Sequence, residues 1–363
     1  MKLTIIAGAR PNFMKIAPLI KAIKKARSEN KNISYRLVHT GQHYDKNMSD
    51  SFFEELNIPA PDANLGVGGG TQAEQTAGIM IAFEKELMQN PTDLVVVVGD
   101  VTSTMACSIV AKKLNTKVAH IEAGIRSWDM TMPEEINRIV TDALADYYFT
   151  TTEIASENLR KFGAREEQIF LVGNVMIDTL LDNMSRFRKP DIFDKLSLTE
   201  KQYIMLTLHR PANVDAAEKL KLLMDEIVNN VESLPIIFPI HPRTAKIFTD
   251  LGIQADNLHI VEPMGYLEFN YMVQRSKCVI TDSGGITEET TVMGIPCITL
   301  RDNTERPETV SVGTNELIGT NPKAIKPALE KLFSGYWKKG GIPELWDGRS
   351  AERIVGEMLR DRK

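Results

Sequence analysis

The chain has 363 residues, which at roughly 150 residues per domain predicts two domains. A hydrophobic share of 43% and a charged share of 25% argue against wholesale disorder. The net charge of −5 excludes a bulk positive field for nucleic acid or an anionic membrane, so an anionic substrate requires a local basic patch. No run approaches about 18 uninterrupted apolar residues, which argues against a membrane-crossing helix. Cys107, Cys278 and Cys297 are too few and too scattered for a disulfide framework or a zinc site, and this predicts a cytoplasmic location.

The N-terminus has no signal-peptide core and reads as an opening strand, Lys2–Ala7. Further strands are predicted at Ser34–His39, Leu94–Val98, Val118–Glu122, Tyr147–Thr150 and Gln168–Val172. The second half adds Tyr203–Leu208, Ile236–Ile240, His259–Val261, Cys278–Thr281 and Cys297–Leu300. Leu94–Val98 is apolar without alternation, as a strand covered on both faces requires. Helical patterns at Thr71–Gln89, Ala216–Asn230 and Pro322–Leu332 separate the strands, and Ser350–Arg360 reads as a last helix. Alternation on this scale predicts parallel sheets. The polar segment from Ser185 to Glu200, which contains Pro190, marks a boundary between two α/β domains facing a cleft.

Ligands of parallel α/β sheets sit at the carboxyl ends of strands. After the first strand come Gly8, Ala9, Arg10 and Pro11, with Lys15 a turn further on, a cation pair beside a helix start that suits a diphosphate. Asp100 follows the Leu94 strand and Glu122 ends the next. Glu134 and Glu135 follow Pro133 at a helix start, where the helix dipole alone accounts for acids, most fully for Glu135. Convergent carboxylates at one sheet edge supply acid–base chemistry. In the second half, His209 and Arg210 end a strand, and His241 ends the next. Ser283, Gly284 and Gly285 form a strand–helix turn whose N–H groups suit a phosphate. Glu289 stands where a ribose diol can donate to it, and Arg301 and Arg306 follow the last strong strand. There is no G-x-G-x-x-G after the first strand and no G-K-[ST], so nicotinamide and P-loop fingerprints are both lacking.

The segments GARPNFMK (8–15), HTGQHYDKNMS (39–49), HIEAGIRS (120–127), MPEEINR (132–138), TLHR (207–210), TDSGGITEE (281–289) and RDNTERPE (301–308) occur in order. Through them, and over residue 1 to beyond 350, the chain resembles the non-hydrolysing UDP-N-acetylglucosamine 2-epimerases. The resemblance implies two Rossmann-like domains of the glycosyltransferase-B type, here residues 1–172 and 173–349, with the helix in 350–363 crossing back onto the first. It also implies a homodimer. The implied reaction interconverts UDP-N-acetylglucosamine and UDP-N-acetylmannosamine by elimination and re-addition of UDP through 2-acetamidoglucal, for polysaccharide biosynthesis, with no metal and no cofactor.

Carried over by motif, Asp100, Glu122, Glu134 and His209 are the catalytic candidates. Arg10, Lys15, Phe269, Ser283, Gly284, Gly285, Glu289 and Arg306 are the substrate and UDP candidates. Gln42, Arg210 and His241 match a second, activating nucleotide-sugar site found in some members. Two departures weaken that second site. The usual H-R-x-E-N is His209-Arg-Pro-Ala-Asn213, and the segment from Gly66 to Gln72 is rich in glycine and lacks the expected arginine. The short span from Glu122 to Pro133 also resembles relatives acting on UDP-2,3-diacetamido-2,3-dideoxyglucuronic acid. A hydrolysing epimerase, a glycosyltransferase of the same fold and a nucleotide-sugar sensor are the other readings. The acidic trio favours proton chemistry over transfer or sensing.

Overall fold

The computed structural model describes residues 1–41, 55–214, 217–240, 248 and 251–360. The chain forms two compact units, Met1–Asp182 with Glu344–Lys363, and Asn183–Pro343. In the first unit the elements run β1 (Lys2–Ala7), α1 (Arg10–Ser28), β2 (Ser34–His39), β3 (Ala63–Asn64), α2 (Gln72–Gln89), β4 (Leu94–Val98), α3 (Thr102–Lys113) and β5 (Lys117–Ile121). They continue with α4 (Pro133–Leu144), β6 (Tyr147–Thr150), α5 (Glu153–Lys161), β7 (Ile169–Leu171) and α6 (Val175–Asn183).

The sheet is wholly parallel, in the order β3-β2-β1-β4-β5-β6-β7. All five residues of β4 are buried, because helices cover both faces of a parallel sheet. Helix α2 begins at a capping box: Thr71 Oγ1 accepts the Glu74 N–H at 3.2 Å, and Glu74 Oε2 accepts the Thr71 N–H at 2.8 Å. The predicted helix start at Thr71 is therefore the cap itself.

The second unit contains α7 (Asp191–Lys195), β8 (Ile204–Thr207), α8 (Pro211–Val214), α9 (Ala217–Asn230), β9 (Ile236–Pro239), β10 (Leu258–Val261) and α10 (Tyr266–Arg275). These are followed by β11 (Cys278–Thr281), α11 (Gly284–Met293), β12 (Cys297–Thr299), α12 (Pro307–Ser311), β13 (Asn315–Leu317) and α13 (Ile325–Phe333). Its sheet is parallel, in the order β10-β9-β8-β11-β12-β13. Its core lies on both faces, with Leu220, Leu223 and Ile227 of α9 on one side and Met272 and Val273 of α10 on the other.

The two compact units divide between Asp182 and Asn183 and between Pro343 and Glu344. Packing explains why the segment after Pro343 belongs to the first unit. Trp346 is buried and donates its indole N–H to Thr151 O at 3.1 Å. Asp178 of α6 accepts the Ser350 and Ala351 N–H groups at 3.0 and 2.7 Å, capping the last helix, α14 (Ser350–Leu359). Lys25 of α1 meets Glu352 of α14 at 2.5 Å. Among the described residues, no helix is long and apolar enough to cross a membrane.

Candidate active site

In each unit the strand order reverses at one place, β1/β4 in the first and β8/β11 in the second. Ligands of doubly wound sheets bind outside the carboxyl ends of the strands at such a switch point. Among the described residues, Arg10, Asp100, His209 and Ser283 follow the switch-point strands, and Glu122 follows β5, one strand away.

In the first unit, Arg10 opens α1, and the turn before it is pinned by a side chain that the sequence reading missed. Asn12 Oδ1 accepts the Gly8 and Ala9 N–H groups, each at 3.1 Å, and its Nδ2 donates to Val98 O at 2.8 Å. The ends of β1 and β4 are thereby tied together. Gly8 is required there, since a Cβ would meet Ser103 Oγ at 1.9 Å.

Lys15 lies on the inner face of α1 and donates to Glu122 Oε2 at 2.6 Å. Its side chain is 11% exposed and that of Glu122 only 2%. Glu122 has φ +69, a left-handed conformation that costs a non-glycine residue about 1–3 kcal/mol and clusters at functional sites. Gly99, also at φ +69, passes under the pair; a Cβ there would meet Lys15 Nζ at 2.9 Å. The Gly99 carbonyl accepts from His120 Nε2 at 2.9 Å, and His120 Nδ1 faces Asp142 Oδ1 at 2.6 Å. Burial pushes the Asp142 carboxyl up, but His120 and Arg126 beside it outweigh burial and hold it below the usual range. This buried cluster braces the turn that carries Asp100.

Asp100 is 29% exposed and takes two hydrogen bonds on Oδ2 from Arg138, Nε at 3.0 and Nη2 at 2.6 Å. Asn137 Nδ2 donates to the Asp100 carbonyl at 2.8 Å. Arg138 also reaches Glu135 Oε2 at 2.6 Å. Glu135 is fully buried and accepts from Ser127 N, Ser127 Oγ and Trp128 N. Its place is set by these donors, which the helix-dipole explanation from sequence does not include. Glu134 stands exposed in the first turn of α4. The structure thus pairs Glu122 with Lys15 and Asp100 with Arg138, so each of these acids has its own cation in place of a shared acidic cluster.

In the second unit the organiser is Asp282, which follows β11 and to which the sequence reading gave no role. It is fully buried and accepts the His209 N–H at 3.1 Å, the Arg210 N–H at 2.9 Å and Asn213 Nδ2 at 3.1 Å, all on Oδ2. Burial alone would raise this carboxyl; these donors and the His209 ring hold it below the usual range. His209 Nδ1 lies 2.8 Å from Asp282 Oδ1, which turns Nε2 outward on a side chain 62% exposed. Asn213 also donates to Leu300 O, so the loop keeps its anchor despite the Pro211-Ala212 departure. Arg210 reaches Asp282 O through Nε at 3.1 Å.

Ser283 is the N-cap residue of α11, and Gly284 and Gly285 form the first turn, whose N–H groups have no acceptor within the helix. A Cβ on Gly284 would meet Glu305 Oε1 at 2.9 Å. Arg306 is buried with its Nε 2.6 Å from Glu288 Oε1, so its nearest charge partner is a residue outside the predicted set. Glu289 accepts from Tyr266 Oη at 2.9 Å, and burial pushes its carboxyl up to about 7. Phe269 is half-buried on α10. Gln42 and His241 lie outside the described residues. Among the described residues no cluster of three or more His, Cys, Asp or Glu side chains is arranged to hold a metal.

The family model described as UDP-N-acetylglucosamine 2-epimerase matches residues 25–359. The chain belongs to the UDP-N-acetylglucosamine 2-epimerase family. It is 44% identical to the UDP-N-acetylglucosamine 2-epimerase of Methanocaldococcus jannaschii, over 98% of both chains. It is 41% identical to the UDP-2,3-diacetamido-2,3-dideoxy-D-glucuronate 2-epimerase of Pseudomonas aeruginosa, over 99% of both. A crystal structure of the M. jannaschii UDP-GlcNAc 2-epimerase in complex with UDP-GlcNAc and UDP superimposes with a TM-score of 0.88, at 43% identity and 99% coverage of both chains. Membership places the chain among the isomerases and gives its α/β fold solved counterparts.

Proposed function

We propose that this chain epimerises UDP-N-acetylglucosamine at C2, giving UDP-N-acetylmannosamine, by eliminating and re-adding UDP. The observation that carries the reading is the pairing at the first switch point, where Asp100 and Glu122 end adjacent strands and each is held by its own cation. In the forward step a carboxylate takes the C2 proton, the C1–O bond to UDP breaks, and C1 and C2 become doubly bonded in 2-acetamidoglucal. A proton then returns to the other face of C2 as UDP re-adds to C1. Glu122 and Asp100, with Glu134, are the acid–base groups of this proposal. In the second unit the α11 N-terminus at Ser283, Gly284 and Gly285, with His209, is the diphosphate site of this proposal, and Arg10 and Lys15 are the diphosphate candidates of the first unit. Glu289 takes the ribose hydroxyls, Phe269 lies beside the uracil, and Arg306 holds the Glu288 side of the site.

The proposal also includes a homodimer acting in the cytoplasm on a nucleotide sugar destined for polysaccharide. Ile81 and Met88, seven residues apart on α2 and 59% and 68% exposed, support an apolar face for a second copy. A second substrate reading, the diacetamido-glucuronic acid sugar, is favoured by the 41% identical P. aeruginosa relative. Chromatographic separation of the two UDP-N-acetylhexosamines, starting from either one, tests the main reading. The expected result is one equilibrium ratio approached from both sides. Inertness toward both, with turnover of the diacetamido sugar, moves the assignment to the second reading.

A further inference from the structure

Glu289 is only 4% exposed, and two polar side chains from the neighbouring helix lie behind it. Tyr266 and Asn270 are one helical turn apart on α10 and share a face. Tyr266 is 5% exposed and Asn270 fully buried. The Tyr266 hydroxyl donates to Glu289 Oε1 at 2.9 Å. Burial and the adjacent Glu289 push the phenol well above its usual range, so it remains a donor. The Asn270 amide faces the same carboxyl and, like the Tyr266 hydroxyl, lowers it against the effect of burial.

We propose that Tyr266 and Asn270 are positioning residues that form a two-donor backing for the Glu289 carboxylate, aiming it at a ribose diol. The proposal rests on the reading of Glu289 as the ribose acceptor. Tyr266 holds Oε1 from behind, which fixes the plane of the carboxylate. An ionised carboxylate has room for about four acceptor bonds, enough for two donors behind and two hydroxyls in front. Both backing donors favour the ionised form that the hydroxyls require.

The test compares UDP with 2′,3′-dideoxy-UDP, which has the same base and diphosphate but no ribose hydroxyls, by calorimetric titration of the full chain. The parent is expected to prefer UDP by about tenfold or more. Tyr266→Phe and Asn270→Leu are each expected to cut that preference by about threefold to tenfold, with dideoxy-UDP affinity held within about twofold. A merely structural role would weaken both ligands together, and that outcome overturns the proposal. So does an unchanged preference in Tyr266→Phe, the milder variant, which loses a single oxygen. Glu289→Gln separates the two layers. If it keeps the parental preference, the ribose reading itself fails; if it abolishes the preference while Tyr266→Phe and Asn270→Leu leave it intact, only the positioning role fails.

Discussion

Lys15 and Glu122 form a buried ion pair, Nζ to Oε2 at 2.6 Å, over the one turn residue whose missing Cβ leaves room for it, Gly99. A buried charge that loses its partner typically costs 3–5 kcal/mol. Lys15→Met is therefore expected to lower stability by about 3 kcal/mol or more, and Lys15→Met/Glu122→Gln to recover a large part of that loss. Denaturant unfolding of the two variants checks it. Equal stabilities would mean that the ammonium does not compensate Glu122.

Asp282 gathers two backbone N–H groups, an amide and the His209 ring on one buried carboxylate. Asp282→Asn keeps the shape but replaces one acceptor oxygen with a donor facing other donors. It is expected to lower turnover by about 10²-fold, comparable to His209→Asn, because general acid–base and electrostatic groups contribute on that order. The double variant should be little worse than either single one. Additive losses would separate Asp282 from His209.

The Glu289 carboxyl gives a pH dependence of defined sign. Its value of about 7 lies above the ordinary 4.5, chiefly through burial. The folded chain therefore holds a proton that the unfolded chain releases, and this contribution to stability falls as pH rises from about 4.5 to 7. Ribose hydroxyls donate to the ionised form. The preference for UDP over 2′,3′-dideoxy-UDP should accordingly rise with pH up to about 7 and level off above it, and the ratio cancels titration of the shared diphosphate. A flat ratio between pH 5.5 and 8.5 would show that ribose recognition does not follow the titration of Glu289.

Much of this architecture was legible in the residues, and the reason is local. Leu94–Val98 is an uninterrupted apolar run, Cys278–Thr281 is a short, fully buried one that ends in Thr281, and the glycine turns after them are short-range signals. Strands β3 and β13 were not seen. Ala63–Asn64 and Asn315–Leu317 are two and three residues long and are strands only because a neighbour pairs with them. The same holds in the site. Lys15, Glu122 and Glu289 stood out by motif, whereas Asn12, Arg138, Tyr266 and Asp282 act through partners far away in sequence. Glu135 is the sharpest case, an acid explained locally by a helix dipole whose actual partners are Ser127, Trp128 and Arg138.

Activation by a second nucleotide sugar is expected to be weak or absent. The glycine-rich segment holds Gly66, Gly69 and Gly70 at positive φ, all exposed, leading into the Thr71 cap. It offers backbone where an arginine would give paired hydrogen bonds to a diphosphate. Arg210 is meanwhile engaged with the backbone of Asp282. Starting from UDP-N-acetylmannosamine alone, the rate should be full from the first seconds. A lag abolished by traces of UDP-N-acetylglucosamine would establish the activator site.

The central claim, proton chemistry at C2 with departure and return of UDP, is tested most directly by incubating the chain with UDP-N-acetylglucosamine in D₂O and following it by proton NMR. The account predicts loss of the C2 proton signal in both UDP-N-acetylglucosamine and UDP-N-acetylmannosamine, with Asp100→Asn and Glu122→Gln slowing the exchange by about 10²–10⁴-fold. Retention of the C2 proton while the two sugars interconvert, or accumulation of free sugar and UDP in place of the second nucleotide sugar, would contradict it.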